Sequence, residues 1–520
     1  MANKNLFQSI VGKLLPKTDA VNEARGQAYA FTPKHTLAQY AATGCLNSTF
    51  YADAEEQLTK VIELCQTLEP EFIAQTAIYA RQRGFMKDMP ALLCAILAVR
   101  DMKLLEAIFP RVIDNGKMLR NFVQILRSGV VGRKSLGSAP KRLIREWFAA
   151  RNDEEIFKAS IGAAPSFADI VKMTHPTPNS KSREALFGYF IGRDINTDEL
   201  PPLVKEYEKF KLGDRHTRAK IPNVPFQMLT SLELGKHEWA AIARTAPWQM
   251  TRMNLNTFVR HNVFDQDGLP ELIANRLRDK DAIKKARVFP YQLMTAYTNA
   301  SENVPPVVRE ALQDAMEISI SNVPEFKGKI YVCPDVSGSM QSPVTGHRKG
   351  ATSKVRCIDV AALVAAAILR KNPNAEIIPF SDDVVKATLN PRDSVMTNAQ
   401  KLANLPSGGT NCSAPLAALN KRKATGDLVI YVSDNESWMD SNRYGATTTM
   451  KEWAQFKARN ANARMVCIDI CPNATTQGKE SADVLNIGGF SDQVFDVITE
   501  FAKGNLNADH WIGVIEAVSL

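Results

Sequence analysis

Near residue 326 the chain changes its hydrophobic period, and that change limits the fold more than any other feature. Beyond it, short apolar runs alternate with helical segments. Strand "KIYVCP" (329–334) leads to helix "SKVRCIDVAALVAAAILRKN" (353–372), then to strand "AEIIPFS" (375–381). Helix "APLAALNKRK" (414–423) precedes strand "DLVIYVSD" (427–434), and helix "TTMKEWAQFKARN" (448–460) precedes strand "RMVCIDICP" (464–472). Strands apolar on both faces need cover on both faces, and intervening helices supply it. The pattern predicts a doubly wound α/β domain with a parallel sheet over 326–520.

Residues 1–325 follow a different grammar. From about 50 to about 320, apolar residues recur at three- and four-residue steps, as in "FIAQTAIYARQRGF" (72–85) and "PALLCAILAVRD" (90–101). Gly84 is placed to stop the first of these helices and Pro90 to start the second. Further amphipathic segments at 103–112, 116–128, 140–149, 166–175, 184–191, 225–233, 237–245, 270–277 and 306–319 predict an α-helical, HEAT-like repeat array. A large helical bundle is the alternative, since no fixed sequence period is visible.

In open α/β sheets the binding crevice lies beyond the carboxyl ends of the strands. Three segments bring oxygens there. They are Asp335, Ser337 and Ser339 in "PDVSGSM", Thr410 in "PSGGTNC", and Asp434 in "YVSDNES". Two carboxylates and three hydroxyls, with no His or Cys, suit a hard divalent cation, Mg²⁺ most naturally, with water completing its shell. The same places argue against catalysis. A haloacid-type phosphatase needs a second carboxylate two residues after its nucleophile, where this chain has Ser337. "GVVGRKS" (129–135) lacks the spacing of a phosphate loop, and the chain is expected not to be an enzyme. The D-x-S-x-S, Thr, Asp set resembles the metal-ion-dependent adhesion site of von Willebrand factor A domains. That resemblance implies that Ser337, Ser339 and Thr410 face the ion through hydroxyls, with Asp335 and Asp434 direct or through water, and that a partner carboxylate could complete the shell.

Charge points to a second kind of ligand. Residues 1–330 hold 45 Lys+Arg against 36 Asp+Glu, which is the whole net excess of +9. Between Lys117 and Arg145 stand eight bases (Lys117, Arg120, Arg127, Arg133, Lys134, Lys141, Arg142, Arg145) and no acid. In "PKRLIREWF", Lys141, Arg142 and Arg145 fall on one helical face, opposite Leu143, Ile144, Trp147 and Phe148. A run without counter-charges fits a phosphate chain. In "APSFADIVKMTHPTP" (164–178), Ser166 with Asp169 marks a helix start and Pro176 a stop at or before His175. Lys172 and His175 share a face at its end, where cations on the helix dipole are the alternative account. "KFKLGDRHTRAK" (209–220) reads as a third basic segment.

The rest of the chain narrows the setting. No apolar run reaches the ~18 residues of a membrane span, and the N-terminal "MANKNLFQSIVGKLLPK" lacks a secretory pattern. The eight cysteines sit singly in apolar segments, as reduced core thiols of a cytoplasmic protein would.

A basic helical module followed by an A-type domain resembles the Ro autoantigen family, which carries a TROVE module. The resemblance runs through "VNEARGQAYAF", "VGRKSLGSAPKRLIREWF", "FADIVKMTHPTP", "KKARVFPYQLMTAY", "DVSGSM", "GGTNCSAPL" and "SDNESW". It implies helical repeats closed into a ring, with the A domain joining the ends. It also implies binding of single-stranded RNA ends and of structured Y RNA in RNA quality control or maturation. An exoribonuclease, polynucleotide phosphorylase, tethered through Y RNA is a further implied partner, and no membrane is. Carried over by motif, Lys158 and His175 fall where the family places RNA contacts. At Gly162 the chain departs from eukaryotic members, which have a base in that loop where "IGAAPS" offers none. The rival reading is a protein-interaction scaffold whose A domain binds an acidic protein ligand through its cation.

Overall fold

The structure, a computed structural model, describes residues 15–520 apart from 52, 214–220, 287–289, 321–322, 348–354, 440–444, 490, 492 and 507–508. The N-terminal "MANKNLFQSIVGKLLPK" thus lies largely outside the described residues, as do most of the basic segment 209–220 and the first two residues of the helix expected from 353. Two compact units result, one of Met1–Met89, Val288–Thr295 and Met316–Ser519, the other of Pro90–Arg287 and Ala296–Ala315 with Leu520. Compactness therefore groups the chain differently from the boundary at 325, which separates it by element type.

Among the described residues the first unit has eight strands, numbered β1 Ala20–Val21, β2 Gln27–Ala30, β3 Ile330–Pro334, β4 Glu376–Ile377, β5 Leu428–Ser433, β6 Arg464–Asp469, β7 Thr475–Thr476 and β8 Val484–Gly488. The main sheet has the order β4-β3-β5-β6-β8, parallel throughout. β3, β5 and β8 are buried along their whole length, as the uninterrupted apolar runs of β3 and β5 demand. From β3 the chain adds β4 on one side and β5 on the other, so the topological switch lies beside the carboxyl end of β3. One core cluster joins Tyr331, Phe380, Tyr431, Trp453 and Phe456.

Two features of this unit were not expected. β8 was missed because Asn486 interrupts its apolar run. The amide is fully buried and is satisfied by Thr476 Oγ1, the Gly478 carbonyl and Glu480. The second is a small antiparallel sheet, β1-β2-β7, which pairs Tyr29 with Thr476 and ties the N-terminal hairpin to the segment after β6.

The second unit is helical, with helices at Met102–Val112, Gly116–Ser128, Ser138–Ala149, Asp153–Ala159, Phe167–Thr174 and Lys181–Ile191, and others following. Trp147, Phe148, Phe167 and Phe187 pack edge to face at its centre. The Trp147 indole donates to the Ile113 carbonyl at 2.8 Å, fixing the helix Ser138–Ala149 in azimuth and thereby setting which residues it turns outward. Ser166 and Asp169 form the capping box their spacing predicts, and His175 caps the helix in the left-handed region at φ 48°.

Candidate cation site and basic groove

The oxygen-bearing loops meet at the switch point. The Asp335 amide donates to the Val432 carbonyl at 3.0 Å, so Asp335 continues the β3–β5 ladder before the chain turns. The Gly338 amide binds the Gly408 carbonyl at 2.8 Å, joining the first loop to the glycine-hinged one. The Thr410 carbonyl accepts from the Trp438 amide at 3.3 Å and from the Ser437 hydroxyl at 3.2 Å, joining that loop to the one after β5.

All five expected ligands are buried. Asp335 and Ser337 are 0% exposed, Asp434 1%, Thr410 4% and Ser339 7%. Asp335 accepts from the Ser337 amide at 2.8 Å and from the Ser433 hydroxyl at 2.5 Å, which hold the carboxylate in place. The Ser337 and Ser339 hydroxyl oxygens lie 3.2 Å apart. Burial pushes the Asp335 carboxyl above its ordinary range. Asp434 is pushed up to about 7, first by burial and then by Asp335 beside it. The groups facing both acids are hydroxyls, amides and other carboxylates. A crowded pair of acids among hydroxyls is a donor set that a hard cation fits.

A third buried acid joins the pair. Glu436 is pushed up to about 8 by burial and then by Asp434, and it accepts from the Glu23 amide at 2.8 Å. Asn22 donates to the Ser437 carbonyl at 2.8 Å and receives the Gly26 amide at 2.6 Å. The N-terminal turn is thus clamped on the loop that carries Asp434. A Cβ at Gly26 would stand 2.1 Å from the Ser437 carbonyl oxygen. Gly26→Ala is expected to displace this loop at a cost of about 1–3 kcal/mol and to weaken Mg²⁺ binding several-fold. An unchanged calorimetric titration would show that the clamp does not matter to the site.

In the helical unit, the expected basic residues fall into two groups. Arg127, Lys134, Lys141, Arg145, Lys172 and His175 line one groove of about 750 Å³ in which no acidic residue takes part. The helix Ser138–Ala149 opens onto it with Gly137 at its start, no side-chain cap and no acid in its first turn, so its amino end adds positive potential. Arg145 is oriented by donating to the Thr174 carbonyl at 2.6 Å.

Arg120, Arg133, Arg142 and Lys158 do not line the groove. Arg142 corrects the expected uniform basic face, because Glu106 and Glu146 both pair with it. Arg133 donates to the Ser135 and Ala98 carbonyls and braces the loop. Lys158 pairs with Glu154 at 3.6 Å. Arg120 lies over Gly162, where φ is 115° and any Cβ would collide with the guanidinium. A base therefore does stand at the "IGAAPS" loop, supplied from the neighbouring helix.

Several residues of these sites fall outside the D-x-S-x-S, Thr, Asp set. Glu436 stands two places after Asp434 in the very segment quoted for it. Ser433, Asn22 and Tyr51 (which reaches the Ser339 hydroxyl) become visible only in the assembled loops.

Residues 329–502 match the family model described as the Ro60 vWA domain. The RNA-binding protein RO60 of Deinococcus radiodurans is 23% identical over 97% of this chain and all of its own length. The RNA-binding protein RO60 of Caenorhabditis elegans is 22% identical over 45% of this chain and 37% of its own. The crystal structure of the Deinococcus radiodurans RO (RSR) protein superimposes with a TM-score of 0.62 at 19% identity, covering 91% of this chain and all of that one. A helical repeat array with a von Willebrand factor A domain is therefore the fold of this chain too.

Proposed function

We propose that this chain, a Ro-like protein by its A domain and its full-length likeness to RO60, binds RNA through the groove of the helical unit. The observation that carries the proposal is the groove itself. Five Lys and Arg side chains and His175 converge on one concave wall with no carboxylate among them. Phosphates are the ligands that such a wall suits, and spaced cations suit a chain of them better than a lone anion.

Structured non-coding RNA with single-stranded ends is the substrate class, with Y RNA as the structured partner. The role is one in RNA quality control or maturation, performed by binding, in the cytoplasm. An exoribonuclease such as polynucleotide phosphorylase would be reached through the RNA. In the A domain, Asp335, Ser337, Ser339, Thr410 and Asp434 would hold the cation, Mg²⁺ by its preference for oxygen. When bound, that ion neutralises the buried acids and offers a Lewis-acidic face to an incoming carboxylate.

Titration of a labelled stem-loop RNA with a single-stranded tail, repeated over a salt series, tests the proposal. Each phosphate contact contributes ~0.7–0.9 to the log–log slope, so full engagement of the groove predicts a slope of roughly 4–5. A flat slope, or no complex at low salt, would falsify it. In the same assay Arg142→Gln is expected to change affinity less than about twofold, because Glu106 and Glu146 already neutralise that side chain.

A further inference from the structure

A second cavity, of about 620 Å³, adjoins the groove and shares Lys172 and His175 with it. Its lining differs in kind. Val171, Pro176 and Phe187 are buried and give it an apolar floor. Its rim carries three acids: Glu184 and Asp194 are exposed and form no ion pair among the described residues, whereas Glu199 is paired with Lys181 at 3.8 Å. The groove is purely basic, whereas here acids stand against Lys172 and Arg193, so a phosphate gains little on entering.

The two cavities together fit the two halves of a nucleotide. An uncharged, flat group suits an apolar floor, and the volume lies in the range of small-ligand pockets. His175 stands between them on a left-handed backbone, so one side chain borders both the phosphate wall and the apolar floor. Carboxylates on the rim select for bases that present N–H donors. Guanine presents two in parallel, N1–H and N2–H, which one carboxylate can accept together as charge-assisted bonds. Uracil presents one N–H flanked by two carbonyls that a carboxylate repels.

We propose that this cavity receives one unstacked base of the RNA held in the neighbouring groove, and that Glu184 and Asp194 make guanine the preferred base. The inference rests on the RNA-binding reading given above.

The test uses the full chain and four fluorescent single-stranded hexamers, uridines throughout except for G, A, C or U at the third position. The guanine hexamer is expected to bind at least tenfold more tightly than the uracil one, and replacing its guanine by inosine, which lacks the N2 amino group, to remove most of that preference. In the double variant Glu184→Gln/Asp194→Asn the preference is expected to vanish while the salt slope persists. Both positions are exposed, so the variant should fold. Equal affinity for all four hexamers, preference for another base, or a guanine preference surviving in the variant would each overturn the proposal. So would displacement of the guanine hexamer, in the wild type alone, by a short arginine-rich peptide that binds in its own right, since that assigns the pocket to a protein cation. Base-blind binding with a steep salt slope would sink the pocket alone, whereas absence of any salt-dependent binding would sink the groove with it.

Discussion

Replacing Lys134, Lys141 and Lys172 together by Gln is expected to weaken RNA binding by about 100- to 500-fold at 0.1 M salt. The magnitude follows from counterion release. Each phosphate neutralised scales affinity as salt to the power of ~0.7–0.9, which at 0.1 M is roughly five- to eightfold per contact. The three lysines are chosen because none forms an ion pair among the described residues; Lys172 feels the Asp169 carboxylate only at longer range. Arg145 is left in place because its bond to the Thr174 carbonyl links two helices, and losing it would mix folding with binding. The log–log slope should fall by about 2–3 at the same time. Loss of affinity at unchanged slope would mean that the lysines act through structure. Unchanged affinity would move the RNA to another face.

That choice of lysines could not have been made from the sequence. The run from Lys117 to Arg145 contains no acid, and helical periodicity placed Lys141, Arg142 and Arg145 on one face. Which of these cations remain free depends on what the neighbouring helices bring. Glu106 arrives from Met102–Val112 to claim Arg142, while nothing comparable reaches Lys141. Local patterns report which face a residue occupies but not what lies opposite.

The same contrast holds in the A domain. β3, β5 and β6 are buried on both faces, and their apolar runs declared it, so the order of elements and the oxygens at their ends were legible. Closure of the site was not. The bonds from Asn22 to Ser437 and from the Glu23 amide to Glu436 each span more than 400 residues of chain. β1 and β2, two and four residues long, carry too little alternation to stand out from a loop. The third basic segment, 209–220, lies mostly outside the described residues.

Removing the cation, or its ligands one at a time, is expected to separate the two roles of the buried acids. With Mg²⁺ at about a hundredfold over its dissociation constant, the A-domain unit should gain ~2.7 kcal/mol, seen as a rise in its melting midpoint of roughly 5 °C or more over the chelated protein. Asp335→Ala should abolish the calorimetric Mg²⁺ signal. It should also lower the midpoint in chelator, because the Ser337 amide and the Ser433 hydroxyl lose their acceptor. Asp434→Asn should abolish the Mg²⁺ signal as well, but with the opposite effect on the chelated protein. The side chain keeps its shape while a buried like charge beside Asp335 disappears, so the midpoint should rise. This opposition distinguishes a cation site from an ordinary polar core, in which both substitutions would simply destabilise. Retention of Mg²⁺ binding by either variant would remove Asp335 or Asp434 from the ligand set.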